Sequence, residues 1–268
     1  MRLDKFLSER TAYSRSQIKE LIAAKKVTVN GTAAGKANLN VAETDTVCLG
    51  GQAVRSQKML TVLLNKPAGY VSATEDRTER TVLELLPPEL QGQGLFPVGR
   101  LDKDTTGMLL LTNDGALSHR LTAPKKHVPK FYEVTLARPF EASCTELFAS
   151  GMTLGNGDVC LPAEVGALTE DGRKALVCLH EGKYHQVKRM FAAAGNHVVQ
   201  LHRIGMGGLL LPDDLPLGKA FVLLDKDLWK VLNSGIEFSA LLQKCKKCSS
   251  LSMNELEKIC AINDLKKA

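Results

Sequence analysis

The chain has 268 residues, of which 44% are hydrophobic, and its formal net charge is +6 at pH 7. The hydrophobic share suffices for a folded core and excludes global disorder. The apolar runs are too short for a transmembrane helix, and the charged start MRLDKFLSER is unlike a signal peptide. We therefore expect a cytoplasmic protein without membrane contact, and the basic excess is a mild indication of a polyanionic partner.

Residues 1–48 predict a small module of helices and short strands. MRLDKFLSE has apolar residues at helical spacing, and a second helix, SRSQIKELIAAKK, follows with Ser14 or Ser16 as its N-cap. VTVNG predicts a strand that ends in an Asn-Gly turn, and VCL predicts another strand. Residues 49–58 hold two glycines and few large apolar side chains, so we place a linker there.

From residue 59 to residue 231, strands and helices are mixed without regular βαβ spacing, which predicts an α+β domain with a largely antiparallel sheet. LTVLLNKPAGYVSAT predicts two strands around an Asn-Lys-Pro turn, and TVLELLP predicts a short helix. KFYEVTLARPF alternates as a strand does, ALVCLHEGKYHQVKRMFAAAG predicts strand, loop and helix, and HVVQLHRIGMGGLLL predicts a strand with a glycine turn. Residues 232–268 form an extension with a final helix capped at Ser252.

A cluster of charged residues stands directly before an apolar strand in GRLDKDTTGMLLLTNDG. Asp102 follows a Gly-Arg-Leu turn, a position that exposes a carboxylate at the mouth of a sheet. On spacing alone, an ordinary surface turn explains this Asp equally well.

Four segments, in chain order, resemble the motifs of the RsuA group of pseudouridine synthases. LLNKPAGYVSA resembles the first motif, GRLDKDTTGMLLLTNDG the second, and KFYEV a Lys-x-Tyr-x-Val segment. EGKYHQVKRM resembles the third motif, with Val187 and Lys188 in place of Ile and Arg. Residues 1–48 resemble an S4 RNA-binding domain. The resemblance extends to residue 231 and implies a small S4-like domain followed by a synthase domain with a mixed, largely antiparallel sheet.

The resemblance implies that Asp102 is the catalytic residue. Pseudouridine formation breaks the N1–C1′ bond of uridine and rejoins the base through C5, so an ionised carboxylate beside C1′ can trap or stabilise the sugar, as in a glycosidase. The family motif makes Lys188 the cation that keeps Asp102 ionised, with Arg189 as the alternative. Tyr132 corresponds to the family tyrosine that lies against the target base, although a strand tyrosine more often fills a core.

Basic residues provide candidate RNA contacts. In the first module they lie on or after the second helix, and in the larger domain they lie beside Asp102, in a basic loop over residues 118–130, and in the third motif. The candidates are Arg15, Lys19, Lys26, Arg100, Lys125, Lys126, Lys130 and Arg189.

No cofactor or metal is expected. The isomerisation requires no cofactor, and the seven scattered cysteines are expected to be free thiols. Cys245 and Cys248 form a lone CxxC with too few further ligands for a structural zinc.

The sequence therefore predicts a monomeric isomerase that converts one uridine of ribosomal RNA to pseudouridine. Similarity of the third motif to the small-subunit member favours 16S rRNA, either free or in an assembling small-subunit particle. The alternatives are a synthase for 23S rRNA, a non-catalytic S4-type ribosome-assembly protein, and a glycosidase-like hydrolase, which lacks a clear second acid.

Overall fold

The computed structural model describes residues 1–8, 10–11, 13–42, 44–54, 59–233 and 235–250. The chain forms two compact units, which divide between Met59 and Leu60. Within the described ranges, no helix is long and apolar enough to cross a membrane. The predicted helix capped at Ser252, and residues 55–58 of the predicted linker, lie outside the described residues.

The first unit combines two helices with a small antiparallel sheet of strand order β2-β1-β3-β4. Its elements are α1 (Leu3–Ser8), α2 (Arg15–Ala23), β1 (Val27–Val29), β2 (Thr32–Ala33), β3 (Val47–Leu49) and β4 (Gln52–Ala53). Ser14 is the N-cap of α2, because its hydroxyl accepts from the Gln17 amide while the Gln17 side chain accepts from the Ser14 amide. The β1–β2 turn has positive φ at Asn30 and Gly31, as an Asn-Gly hairpin requires.

The core of the first unit forms where the apolar faces of both helices meet the sheet. Leu3 and Leu7 of α1, Ile18 of α2 and Val27 of β1 are completely buried in one cluster. The helical spacing seen in the sequence therefore becomes one continuous apolar interface.

The second unit is built on a mixed sheet. The strands of the second unit are β5 (Thr61–Lys66), β6 (Phe96–Pro97), β7 (Thr106–Thr112), β8 (Lys130–Leu136), β9 (Met152–Thr153), β10 (Val159–Cys160), β11 (Glu164–Ala167), β12 (Lys174–Leu179), β13 (Val198–Met206), β14 (Leu209–Leu210) and β15 (Ala220–Val222). Strands β9 and β10 pair with each other, apart from the mixed sheet. The α-helices of this unit are α3 (Gly115–Thr122), α4 (Ser143–Ala149), α5 (Gln186–Ala193), α6 (Asp225–Leu232) and α7 (Phe238–Ser250), and its 3₁₀ helices are Val82–Leu85, Pro88–Leu90 and Pro124–Lys126.

The main sheet has the strand order β11-β12-β8-β13-β7-β5-β15, with β14 beside β13 and β6 beside β7. Among the described strands, β7 and β13 form a parallel pair and the other neighbours in this sheet run antiparallel. The predicted α+β class with a mixed, largely antiparallel sheet is confirmed. The central strands β5 and β7 are buried on both faces, which explains their continuous apolar sequences.

Helices cover both faces of this sheet. On one face, α4 and α5 contribute Phe148 and Phe191 to the largest apolar cluster, which also contains Leu109 of β7. On the other face, Leu117 of α3 and Val231 of α6 pack with Leu110 of β7. Alternate side chains of the same strand thus serve different cores.

Helix α7 packs beside β8 and β12, on the face opposite Tyr132. Leu241 of α7 is buried with Phe131 and Leu176. The described part of the predicted extension, residues 232–250, therefore contributes to the apolar packing of the second unit.

Two local predictions in this unit are wrong. LTVLLNKPAGYVSAT forms one strand, because after β5 the chain makes an isolated bridge between Val71 and Thr81 rather than a ladder. The basic loop over 118–130 begins inside α3, because the Asp114 carboxylate caps this helix by accepting from the amides of Ala116 and Leu117.

We expect Gly107→Ala to destabilise the second unit. Gly107 has φ +101°, and an added Cβ would lie 2.7 Å from the backbone nitrogen of Arg203 on the neighbouring strand. The free energy of unfolding, measured by urea denaturation, should fall by more than about 1 kcal/mol. The matched control is Gly115→Ala at the start of α3, where nothing lies within 4 Å of the added atom. An equal effect of the two substitutions would contradict this account.

Candidate active site

Asp102 lies in the connection between β6 and β7, which we call the Asp102 loop (residues 98–105). The loop ends in a tight turn, in which the Thr105 amide donates to the Asp102 carbonyl at 3.1 Å. The Asp102 side chain is 24% exposed. The carboxylate is therefore accessible to a ligand while its backbone is held by the fold.

Lys188 of α5 bridges two carboxylates of the Asp102 loop. Its Nζ lies 3.2 Å from Oδ2 of Asp102, and 2.7 and 2.9 Å from the two carboxylate oxygens of Asp104. The structure brings together Asp102 and the predicted Lys188, and it adds Asp104. Arg189 instead lies 2.8 Å from Asp158, so among the two sequence candidates Lys188 contacts Asp102.

The electrostatics of this group favour its charged forms. Burial lowers the pKa of Lys188, but the hydrogen bonds that its ammonium donates to Asp104 and Asp102 outweigh burial and leave that pKa above its usual value. The hydrogen bond from Lys188 lowers the pKa of Asp104, against an opposing effect of burial. Because the pKa of Lys188 is higher in the folded protein than the unfolded value of 10.5, the charged ammonium stabilises the fold at pH values below 10.5. This stabilisation is lost as the pH rises through the folded pKa. At neutral pH this cation is fully charged.

His185 is a residue of this site that the sequence analysis missed. Its Nε2 lies 3.4 Å from Oδ1 of Asp102, and it is the N-cap residue of α5 in a left-handed conformation with φ 48°. His185 and Lys188 are three positions apart, a spacing that directs both side chains to the same side of a helix start. That spacing is the signal that could have identified it.

Lys66 anchors the Asp102 loop from below. It is completely buried at the end of β5, and its Nζ donates to the carbonyl oxygens of Asp102 at 3.0 Å, Lys103 at 3.2 Å and Thr105 at 2.8 Å. Burial lowers the pKa of Lys66 to about 8. In the sequence, Lys66 is one residue of the predicted Asn-Lys-Pro turn, and its burial was not expected because lysine is almost never fully buried without a partner.

Ser72 holds the loop from a second direction. Its hydroxyl donates to the carbonyl of Leu101 at 2.9 Å and accepts from the amide of Leu101 at 3.0 Å. The segment that fails to form a strand after β5 therefore serves as a support for the residue before Asp102.

Tyr132 lies on β8 in the largest apolar cluster and is 7% exposed. Its neighbours across the sheet are Val177 of β12 and Arg203 of β13. Arg203 is also buried and donates through Nε to the carbonyl of Met108 at 2.7 Å. The tyrosine ring is thus part of the packed sheet, on the face that carries α5.

A cavity of about 440 Å³ adjoins the Lys188–Asp104 pair. Thr106 and His202, which are joined by a 2.8 Å hydrogen bond between Oγ1 and Nδ1, form part of its wall. Its volume lies within the range of small-molecule sites.

The candidate RNA-binding residues fall into two groups. Most have exposed side chains: Arg15, Lys19 and Lys26 in the first unit, and Arg100, Lys125 and Lys126 in the second. Lys130 differs, because its Nζ donates to the carbonyl of Val128 at 2.8 Å and burial lowers its pKa to about 8. Arg189 is held by Asp158 and donates to the carbonyl of Tyr184 at 3.1 Å.

One group among the described residues has ligand atoms close enough to hold a metal ion. Atoms of Glu164, Cys178 and His180 lie within 4.8 Å of one another. Cys178 packs with Phe131, on the face of the sheet opposite Tyr132, so this group is separate from the candidate active site. Burial raises the pKa of the Cys178 thiol to about 12, which disfavours the thiolate that a metal requires.

Comparison with known proteins identifies the class. Residues 60–193 match the family model described as RNA pseudouridylate synthase, and residues 1–47 match the S4 domain. The chain therefore belongs to the RNA pseudouridylate synthase family, and it is an RNA pseudouridine synthase with an S4 domain.

Individual relatives match over most of their length. The chain is 41% identical to a Bacillus subtilis (strain 168) protein named uncharacterized RNA pseudouridine synthase YtzG, over 85% of this chain and 97% of the relative. It is 44% identical to ribosomal small subunit pseudouridine synthase A of Pasteurella multocida, over 82% and 94%, and 40% identical to that of Escherichia coli K12, over 87% and 100%. A crystal structure of a pseudouridylate synthase aligns with TM-score 0.63 and 36% identity, over 86% of this chain and 99% of the other.

We expect Lys66→Met to loosen the Asp102 loop. Methionine has a similar length but no donor, so the Thr105 carbonyl oxygen loses its hydrogen bond to Lys66, while the carbonyl oxygens of Asp102 and Lys103 keep only their backbone donors. An unpaired buried acceptor costs about 1–3 kcal/mol. Hydrogen exchange followed by mass spectrometry should show faster exchange in peptides covering residues 98–105. The control is Lys103→Met, which removes an exposed lysine of the same loop that pairs with Glu79. Unchanged exchange in Lys66→Met would refute the anchoring role.

Proposed function

We propose that this enzyme isomerises one uridine of 16S rRNA to pseudouridine, and that Asp102 is its nucleophile. The observation that carries the catalytic part is the 3.2 Å contact between Asp102 and Lys188 in an accessible loop. An ammonium group at this distance holds and orients the Asp102 side chain, and a carboxylate can attack or stabilise C1′. The proposal extends the established class of the enzyme to particular residues and to a particular RNA.

The proposed mechanism uses the carboxylate in the first step. Asp102 forms a bond to C1′ while the N1–C1′ bond breaks and its electron pair leaves with the uracil. The base then turns, C5 bonds to C1′, the carboxylate is released, the C5 proton is lost and N1 gains a proton. Lys188 and His185 hold the carboxylate from two sides during these steps.

The 16S target rests on similarity. Relatives at 44% and 40% identity are named ribosomal small subunit pseudouridine synthase A, whereas the name of the relative at 41% identity states no target. The test is to map pseudouridine in both large ribosomal RNAs from cells that lack this protein and from cells with it restored. Loss of one site in 16S rRNA is expected, and loss confined to 23S rRNA would refute the target.

The two units suggest a division of labour. We propose that residues 1–48 bind RNA, that 59–231 perform catalysis, and that 232–268 are an extension. The linker predicted at 49–58 is shorter than expected, because β4 (Gln52–Ala53) within it pairs with β3 in the sheet of the first unit. Exposed basic side chains of the first unit support its part in binding. The same holds for Arg100, Lys125 and Lys126 in the second unit, because cations on a surface attract the phosphate backbone.

We expect Asp102→Asn to abolish pseudouridine formation while RNA binding persists. Asparagine retains the shape and removes the charge, so the single-turnover rate should fall by at least about 10³-fold. Asp104→Asn is the matched control, since Asp104 also contacts Lys188 but is 72% exposed in its side chain. It should retain most of the activity. Substantial turnover by Asp102→Asn would refute the assignment of Asp102 as the nucleophile.

Tyr132→Phe tests whether the tyrosine hydroxyl transfers a proton. Phenylalanine preserves the buried ring, so the fold and the RNA affinity should change little. Loss of a positioned acid or base should slow the single-turnover reaction by roughly 10²–10⁴-fold. A rate equal to that of the parent would assign Tyr132 to packing alone.

The salt dependence of RNA affinity tests whether basic residues of the first unit contact RNA phosphates. Arg15 and Lys19 are exposed and lie four residues apart on α2, so their side chains share one face. Replacing both by Gln should reduce the slope of log affinity against log salt by roughly 2. Replacement of Lys244 and Lys246, two exposed lysines of α7, is the charge-matched control. Equal slopes for the two double variants would refute a specific role of α2.

A further inference from the structure

An exposed aromatic pair stands beside Asp102. Tyr184 is 73% exposed, the largest fraction among the large hydrophobic side chains of the described residues. Its ring stacks on that of His185, with centroids 3.8 Å apart and planes inclined by 18°. Because Nε2 of His185 lies 3.4 Å from Oδ1 of Asp102, the stacked pair extends from the Asp102 carboxylate to the solvent.

The backbone that carries this pair is held on both sides. Before it, the Gln186 side chain accepts from the Lys183 amide at 2.9 Å and donates to Glu181 at 2.7 Å. After it, Arg189 donates to the carbonyl of Tyr184 at 3.1 Å. The turn between β12 and α5 is therefore fixed by long side chains of the turn and of the helix.

The conformation of the pair is costly for the free protein. His185 adopts φ 48°, in the left-handed region that few residues other than glycine take, although His, Asn and Asp are found there more often than other residues with a Cβ. Tyr184 presents most of its ring to water, although tyrosine is normally buried to a greater extent. Strained backbone at functional positions is a known pattern, and here it aims an aromatic face outward next to a reactive carboxylate.

An aromatic ring at this position fits a nucleobase. Bases stack on exposed aromatic side chains of RNA-binding proteins with little dependence on sequence, because every base has a π face. A uridine that reaches an enzyme carboxylate must leave its own stack, at a cost of a few kcal/mol. A ring that receives the neighbouring base offsets part of that cost.

We propose that Tyr184, supported by His185, is a stacking platform for an unpaired nucleobase adjacent to the target uridine. This inference rests on the proposed function, because it requires that the target uridine sits at Asp102. The outer face of Tyr184 binds the base, while the inner face rests on His185 and keeps the ring in place. Tyr184 is a substrate-positioning residue, and it takes no part in bond making or breaking.

The test is a double-mutant cycle between Tyr184 and the RNA. The probe is a fragment of 16S rRNA that contains the uridine modified by the parent enzyme, made with the natural bases or with an abasic nucleotide on the 5′ or the 3′ side of that uridine. Tyr184→Leu removes the aromatic face, and Tyr184→Phe retains it. Trp229→Leu, which removes another exposed aromatic residue on α6, is the control.

On the natural fragment, Tyr184→Leu should weaken RNA affinity by about 5- to 150-fold, the change that corresponds to stacking of one base. Tyr184→Phe and Trp229→Leu should bind as the parent does. One of the two abasic fragments lacks the base that stacks on Tyr184. The parent and Tyr184→Leu should bind that fragment with equal affinity. Circular dichroism of each variant provides the check on folding.

A second readout follows the base directly. With 2-aminopurine in place of the base identified by the cycle, binding to the parent and to Tyr184→Phe should change its fluorescence, and binding to Tyr184→Leu should leave it closer to that of the free RNA. If Tyr184→Leu loses as much affinity on both abasic fragments as on the natural one, or loses none, the platform is refuted. Failure of the proposed function is distinguishable, because the parent enzyme would then form no pseudouridine in 16S rRNA itself.

Discussion

The buried ammonium of Lys66 is the interaction on which the candidate active site depends. At the end of β5, the Lys66 ammonium donates hydrogen bonds to the carbonyl oxygens of Asp102, Lys103 and Thr105. Three peptide groups of the Asp102 loop therefore turn toward the interior. A buried carbonyl oxygen is costly to leave without a donor, and Lys66 supplies one to all three of these groups. Fixing the backbone in this way leaves the carboxylates of the loop available to Lys188.

The two lysines have separate tasks that follow from their burial. Lys66 is completely buried and donates to backbone carbonyl oxygens, whereas Lys188 is partly accessible and contacts the carboxylates of Asp102 and Asp104. Sheet topology brings Lys188 to the loop. The parallel pairing of β13 with β7 sets Thr106 opposite His202, and the contacts of Lys188 with Asp102 and Asp104 place the start of α5 beside the loop before β7. His185 joins them there because it precedes α5.

Much of the fold could be predicted because apolar periodicity is a local property. The helical spacing of Leu3 and Leu7, the alternation of β8 and the Asn-Gly turn after β1 correspond to elements of the structure. The second strand predicted after β5 did not form, since Ser72 and its neighbours bind the Asp102 loop rather than a ladder. Helix α3 was missed because residues 118–130 were read as one basic loop, although Asp114 stands before this segment as an N-cap.

Ordered motifs and residue types can be read from the chain alone, so they were enough to predict the family, the α+β class, and Asp102 and Lys188 as candidate site residues. The tertiary structure alone decided that Lys188 rather than Arg189 contacts Asp102, that Lys66 is an anchor, and that Tyr184 stacks on His185 beside the carboxylate. The reason is separation along the chain. Lys66 and Asp102 are 36 residues apart and Asp104 and Lys188 are 84 apart, so no local pattern encodes these contacts, and the pairing of β7 with β5 and β13 creates them.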